Sequence, residues 1–424
     1  MADNRTMKNR VVITGLGPVT PVGIGKNNFW QSLIQGKCGI DRISYFDTEE
    51  YPTKIAAEVK DFNYTNYISI KEANRMDKGT QFSIVAAMLA LEDSKLKITE
   101  KDSYSTGVII GSGIGGIGTF EKQHKILLEK GPGRVSPFFI PMMISNIPAG
   151  EIAIKIGAKG PNGVITTACA SSAHALGIAF KLLQQGDAQI IISGGTEAAI
   201  TPMALAGFCK MRALSTQNDH PKNASKPFDR ERDGFVMGEG AGILILETLQ
   251  HAKERNANIY AEIFGFGMTA DAYHITAPAP EGEAAAKAIE IALKDAGVKP
   301  SQIDYINAHG TSTPLNDKLE TLVVKRVFGE YAYDLKISSN KSMTGHLLGA
   351  SGGVEVISTV LTIKNGIIPP TINYNSPDPE CDLNYVPNKS EKKIVDYAIS
   401  NSFGFGGHNG VIVLGKYKEK RNSV

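Results

Sequence analysis

The chain has 424 residues, of which 42% are apolar and 21% charged, and its 45 basic and 43 acidic side chains leave a formal net charge of +2. That balance argues against a nucleic-acid binder working through a global positive field, while leaving room for a local basic patch. No apolar run approaches the ~18 residues of a membrane span, and MADNRTMKNR is followed only by the strand-like VVITGLG, so a cytoplasmic protein is expected.

Short β-branched runs alternate with helical patterns along the whole chain, which predicts an α/β fold of two or three units. Strands are expected at 11–14 (VVIT), 107–111 (GVIIG), 163–169 (GVITTAC), 189–195 (QIIISGG) and 242–247 (GILILE). After a charged turn, HAKERNAN, a second set follows at 259–267, 304–310, 335–340 and 397–407. Several are apolar on both faces, as suits a sheet covered on each side. A helix is predicted over 283–296, with Ile289, Ala292, Leu293 and Ala296 on one face and Gly297 and Pro300 as stops. Two small-residue stretches, Cys169 to Gly186 and His346 to Gly366, each follow a strand, which suggests an internal duplication. The boundary is placed near 258, giving halves 1–258 and 259–424.

The four cysteines, Cys38, Cys169, Cys209 and Cys381, lack C-x-x-C or zinc-ligand spacing and read as free thiols, with no metal. Cys169 sits where an apolar strand gives way to ASSAHALG. A strand-to-helix turn of this kind exposes a nucleophile, and the helix N-terminus favours a thiolate. The competing reading is a buried structural cysteine. His309 (NAHGTST) and His346 (KSMTGH) each follow a strand and adjoin glycine. Singly each reads as a loop histidine bonded to backbone; together with Cys169 they supply a nucleophile and two polarisable donors. GSGIGG at 111–116 fails as a dinucleotide fingerprint because its spacing is wrong, and reads as a tight turn beside a pocket. FGFGGH at 403–408 reads as a mobile aromatic loop after the last strand, its alternative being a surface hairpin.

With Thr167-Ala-Cys169, His309-Gly-Thr-Ser-Thr313, Lys341-Ser-Met-Thr-Gly-His346 and Asn401-Ser-Phe-Gly-Phe-Gly-Gly407 in view, the chain resembles the β-ketoacyl-acyl carrier protein synthases of type II. The likeness runs from Val11 to about Leu414. It implies a thiolase-like fold, two duplicated α/β halves in five layers α-β-α-β-α, and a decarboxylative condensation of an acyl thioester with malonyl-acyl carrier protein. Carried over by residue, Cys169 takes the acyl group, and His309 and His346 hold the malonyl thioester carbonyl through neutral N–H donors. Lys341 and Glu355 support them, and the backbone N–H groups of Cys169 and Phe405 form the oxyanion hole. Phe405 is also the gate residue. Thr311 and Thr313 contact the pantetheine arm. Ile114 and Phe208 line the acyl pocket, with Phe139 and Ile140 lent by the partner of a homodimer. Lys71, Arg75 and Arg212 dock the acyl carrier protein. No cofactor is implied, since the phosphopantetheine arrives on the carrier. His408, Asn340, Asn316, Ala204 and Asn74 depart from the pattern, which bears on gate, pocket and docking. A type I synthase or a polyketide ketosynthase is the alternative. A chain-length factor would lack the nucleophile, and a thiolase would carry a second cysteine where His346 stands.

Overall fold

A computed structural model describes residues 8–419. The first residues of the N-terminal stretch read above for a leader lie outside them. The central sheet is assembled from two sets of five strands, with the two-residue strand Gly23–Ile24 paired to Val19–Thr20 at the end of the first strand. The first set is β1 (Val11–Thr20), β2 (Thr106–Gly111), β3 (Asn162–Ile165), β4 (Ile190–Glu197) and β5 (Gly240–Thr248). The second is β6 (Ala261–Ala270), β7 (Tyr305–Asn307), β8 (Lys336–Ser338), β9 (Tyr397–Gly404) and β10 (His408–Gly415).

From the middle outward the first set runs β1-β5-β4-β2-β3 and the second β6-β10-β9-β7-β8. In each the inner two pairings are antiparallel and the outer two parallel. The same order and the same directions occur twice, so the duplication suggested by the small-residue helices is real. The halves join edge to edge where Val11–Ile13 pairs with Ala261–Ile263.

Among the described residues six helices are long: α1 (Lys78–Ser94), α2 (Ser171–Gln185), α3 (Glu283–Ala296), α4 (Pro314–Phe328), α5 (Ser351–Asn365) and, between α1 and α2, Ile117–Lys130. α2 and α5 pack on each other and on strands of both halves, while α1 and α3 cover the outer faces. Small residues allow the close inner packing: a side chain at Gly352 would come within 2.9 Å of the Ala173 amide nitrogen. α3 spans the predicted residues and ends on left-handed Gly297 (φ 64°), a geometry glycine adopts without steric cost.

Two expectations are corrected. The strand expected over 163–169 stops at Ile165, because Ala168 takes φ 49° and turns the chain before Cys169. The aromatic loop is not terminal: His408–Gly415 forms one more strand, and Gly404–Gly407 is the bend of the β9–β10 hairpin. No helix among the described residues is long and apolar enough to cross a membrane.

Candidate active site

Four chain segments converge at one edge of the joined halves. After β3, a single 3-10 turn, Ala168–Ala170, places buried Cys169 ahead of α2. After β7, His309 is held because its own N–H and that of Gly310 donate to the Glu320 carboxylate, at 2.9 and 2.7 Å. After β8, the short helix Lys341–Thr344 sends Lys341 inward and leads to His346, ahead of the turn Leu348–Ala350 and α5. The β9–β10 bend closes the site, with Gly404 against the Cys169 turn.

His346 Nε2 lies 3.0 Å from Cys169 Sγ, and its Nδ1 lies 2.9 Å from Ser351 Oγ. The two imidazoles stand nearly perpendicular, 5.4 Å between centroids. Lys341, 1% exposed, donates from Nζ to the His309 carbonyl at 2.5 Å and to Glu355 Oε1, and faces His309 Nδ1 at 3.4 Å. An ammonium has no lone pair, so it can only donate to Nδ1. The proton of neutral His309 therefore sits on Nε2. Burial, reinforced by the Lys341 charge, holds both imidazoles well below the usual histidine range, so both are uncharged at neutral pH.

The thiolate expected from the helix N-terminus is not what the site holds. Burial pushes the Cys169 thiol up to about 12, although the Lys341 charge and the Phe405 backbone N–H both pull it down. Desolvation outweighs both, so Cys169 rests as a thiol and must lose its proton as it attacks.

A cavity of about 590 Å³ opens onto Cys169, His309 and His346, within the usual size of a small-molecule site. Ile114, Phe208, Arg212, Thr311, Thr313 and Phe405 line it, as the sequence places them. Thr311 and Thr313 hydroxyls lie 2.9 Å apart. Lys341 and Glu355 stand behind the imidazoles, outside the lining. Phe139 and Ile140 do not reach the cavity of their own chain; they lie on a surface helix, Phe139–Met143. Lys71 and Arg75 are exposed and do not line the cavity, and Arg75 covers the Phe138 ring at 4.5 Å. His408 opens β10 with its ring 6.2 Å from that of His174.

Sequence reading missed four residues: Glu320 and Ser351, which orient the histidines, Gly404, which lies against the Cys169 amide, and Glu197 at the end of β4. Two left a signal: Gly404, inside the FGFGG loop, and Glu197, an acidic residue closing the apolar run IIISGGT. Ligand atoms of Cys169, His309 and His346 lie within 4.8 Å of one another, a spacing a soft cation could use. The Lys341 ammonium beside His309 opposes a second positive charge there, and the His309 Nε2 proton occupies the ligating lone pair.

Two family models match consecutive stretches, Beta-ketoacyl synthase, N-terminal domain, over 8–252 and Beta-ketoacyl synthase, C-terminal domain, over 260–375. The chain belongs to the β-ketoacyl synthase family. Among similar proteins, the 3-oxoacyl-[acyl-carrier-protein] synthase 2 of Synechocystis sp. is 55% identical over 411 residues, 97% of this synthase and 99% of that one. The Staphylococcus aureus protein of the same name is 54% identical over 413 residues, 97% and 100% of the two chains. Among solved structures, the ishigamide ketosynthase/chain length factor superposes with TM-score 0.91 at 34% identity, covering 97% of this synthase and 100% of that chain. A type II polyketide ketosynthase in complex with its acyl-carrier protein gives 0.90 at 36%, with the same coverage. The resemblance read from the four motifs is borne out, and so is the thiolase-like fold.

Proposed function

We propose that this synthase carries out decarboxylative Claisen condensation in fatty-acid elongation, joining an acyl group on Cys169 to malonyl-acyl carrier protein. The observation that carries the reading is the Cys169 thiol 3.0 Å from His346 Nε2, beside a second imidazole whose Nε2 proton is fixed by Lys341. The greater identity to the 3-oxoacyl-[acyl-carrier-protein] synthases, 54–55% against 36% for the type II polyketide ketosynthase, favours elongation over polyketide synthesis.

In the first half-reaction the Cys169 sulfur attacks the acyl thioester, and the thiol proton passes through His346 Nε2 to the departing carrier thiol. Ser351, whose hydroxyl can donate or accept, lets His346 change tautomer as that proton comes and goes. In the second, the C–C bond to the malonyl carboxylate breaks, CO₂ leaves, and the thioester oxygen becomes an enolate. The two Nε2–H donors hold that charge, each worth roughly 3–4 kcal/mol in a water-poor site. The enolate carbon attacks the acyl-Cys169 carbonyl. The new oxyanion meets the N–H groups of Cys169 and Phe405, then collapses and expels the Cys169 thiolate, which is reprotonated. Holding both acyl groups in one cavity makes this step effectively unimolecular.

The partner in this reading is an acyl carrier protein bringing its own phosphopantetheine, docked near Arg212 with Lys71 and Arg75 as outlying contacts. The enzyme acts as a cytoplasmic homodimer without a cofactor, its halves meeting near residue 258. Phe139 and Ile140 reach the partner's pocket. Support for the dimer comes from apolar side chains left in water on one chain, Phe120 44%, Leu128 73% and Ile140 55% exposed. The test pairs Cys169→Ala with His309→Ala, following acyl-enzyme by mass spectrometry and CO₂ release. Cys169→Ala should stop condensation and keep some malonyl decarboxylation. His309→Ala should still acylate but lose decarboxylation by roughly 10²–10³-fold. Condensation at a wild-type rate by the cysteine variant would sink the assignment.

A further inference from the structure

Glu197 ends β4 as an almost fully buried acid, 1% exposed; burial pushes its carboxyl up to about 7, against the downward pull of hydrogen bonds from Gly113, Ile114, Gly349 and Ser112. Its oxygens are met by backbone donors: Gly113 N–H at 2.7 Å and Gly349 N–H at 3.0 Å on Oε2, and Ile114 N–H at 3.2 Å on Oε1. The Ser112 hydroxyl donates to Oε1 at 3.3 Å and accepts from Gly115 N–H at 3.2 Å. One carboxylate thus gathers the whole loop after β2 and ties it to the turn after His346 in the other half.

The loop lies between two cavities of very different size. One side, at Gly113 and Ile114, faces the acyl cavity; the other, at Ser112 and Gly115, faces a second small cavity of about 10 Å³ lined also by Asp77 and Thr196. Near its start the loop touches the nucleophile turn, since a Cβ on Gly113 would lie 3.3 Å from the Ala168 carbonyl. The carboxylate therefore fixes Ile114 directly, through its N–H, on a loop that passes beside the Cys169 turn.

We infer that Glu197 is a positioning residue that sets the longest acyl chain the pocket accepts, by pinning Ile114 relative to Cys169. The inference rests on the condensing function and on Ile114 as the pocket's end. Charge-assisted bonds to N–H groups are the strong ones, and a neutral amide would turn an NH₂ toward donors. With Glu197→Gln, the Gly113 and Ile114 N–H groups lose their charged acceptor, Ile114 is freed to shift relative to Cys169, and the end of the pocket loosens.

The experiment measures kcat/KM for acylation of Cys169 in the full-length enzyme, using acyl carrier thioesters of graded length. In Glu197→Gln the ratio of long- to short-chain values should rise roughly tenfold, the worth of one charge-assisted hydrogen bond. Removing the negative charge also eases ionisation of Cys169, which Glu197 opposes; that speeds all lengths alike and cancels in the ratio. An unchanged ratio, or a fall in it, overturns the inference while leaving the function intact. A wild type that forms no acyl-Cys169 from any primer overturns both. Ser112→Ala, which removes the bridging hydroxyl and keeps the carboxylate, should move the ratio the same way by a smaller factor. If Glu197→Gln does not fold, an unmoved ratio in Ser112→Ala is the refutation.

Discussion

Replacing Lys341 with methionine keeps the volume of a buried side chain and removes its charge. Glu355, 3% exposed, then has no cation, and burial already pushes its carboxyl above the usual range. Leaving one member of a buried pair ionised costs about 3–5 kcal/mol. Glu355 avoids part of this by taking a proton in the folded state, at a cost of roughly 1.4 kcal/mol for each pH unit above about 4.3. That caps the loss at roughly 3.7 kcal/mol at pH 7 and at roughly 1 kcal/mol at pH 5. The sign follows from proton counts: the variant's folded state binds a proton that its unfolded state lacks, so its stability relative to wild type falls as pH rises. Urea melts at both pH values measure this difference. Catalysis should fall separately, because His309 loses the contact that keeps its proton on Nε2; malonyl decarboxylation should drop about 10²-fold, the worth of one enolate donor. Lys341→Met with Glu355→Gln should regain stability and not decarboxylation. Equal destabilisation at pH 5 and pH 7, or recovered decarboxylation in the double variant, would refute the reasoning.

Because the Cys169 thiol lies near 12, its alkylation by iodoacetamide should climb roughly tenfold per pH unit up to about pH 10, and a plateau near the ordinary thiol range would contradict the burial argument. Gly404→Ala would place a Cβ 2.8 Å from the Thr167 carbonyl and 3.1 Å from the Cys169 amide nitrogen. Cys169 acylation, followed by mass spectrometry, should fall by about 10²-fold with native circular dichroism; retained acylation would remove that N–H from the oxyanion hole. Ile114→Phe should block long acyl primers and spare short ones, measured as Cys169 acylation across chain lengths, and no loss at any length would take Ile114 out of the pocket.

The sequence exposed the catalytic side chains because each stands at a strand end beside glycine or small residues, where chemistry and local pattern coincide. Cys169, His309 and His346 were legible for that reason, and so was the duplication. What holds them was not. Glu320 accepts from the His309 and Gly310 N–H groups and Ser351 meets His346 through one hydroxyl, and nothing in their local sequence separates them from ordinary helix residues. The final strand was missed because FGFGG punctuates so strongly that HNGVIVLG beyond it went unread, although that strand pairs with β9 along its full length. The charge state of Cys169 was misread for a different cause: a helix dipole is visible in sequence, whereas desolvation depends on residues distant along the chain.

The turns before α2 and α5 are built alike, each opening on a left-handed residue, Ala168 at φ 49° and Leu348 at φ 48°. Counting from those residues, Gly349 occupies in the second half the place Cys169 holds in the first. A side chain there would come 2.2 Å from the Gly113 amide nitrogen and 2.6 Å from the Glu197 carboxylate. The doubled architecture thus offers two seats for a nucleophile and has room for one. Moving the cysteine to its counterpart would not create a mirror-image enzyme, because a side chain in the second seat would collide with the Gly113 backbone and the Glu197 carboxylate.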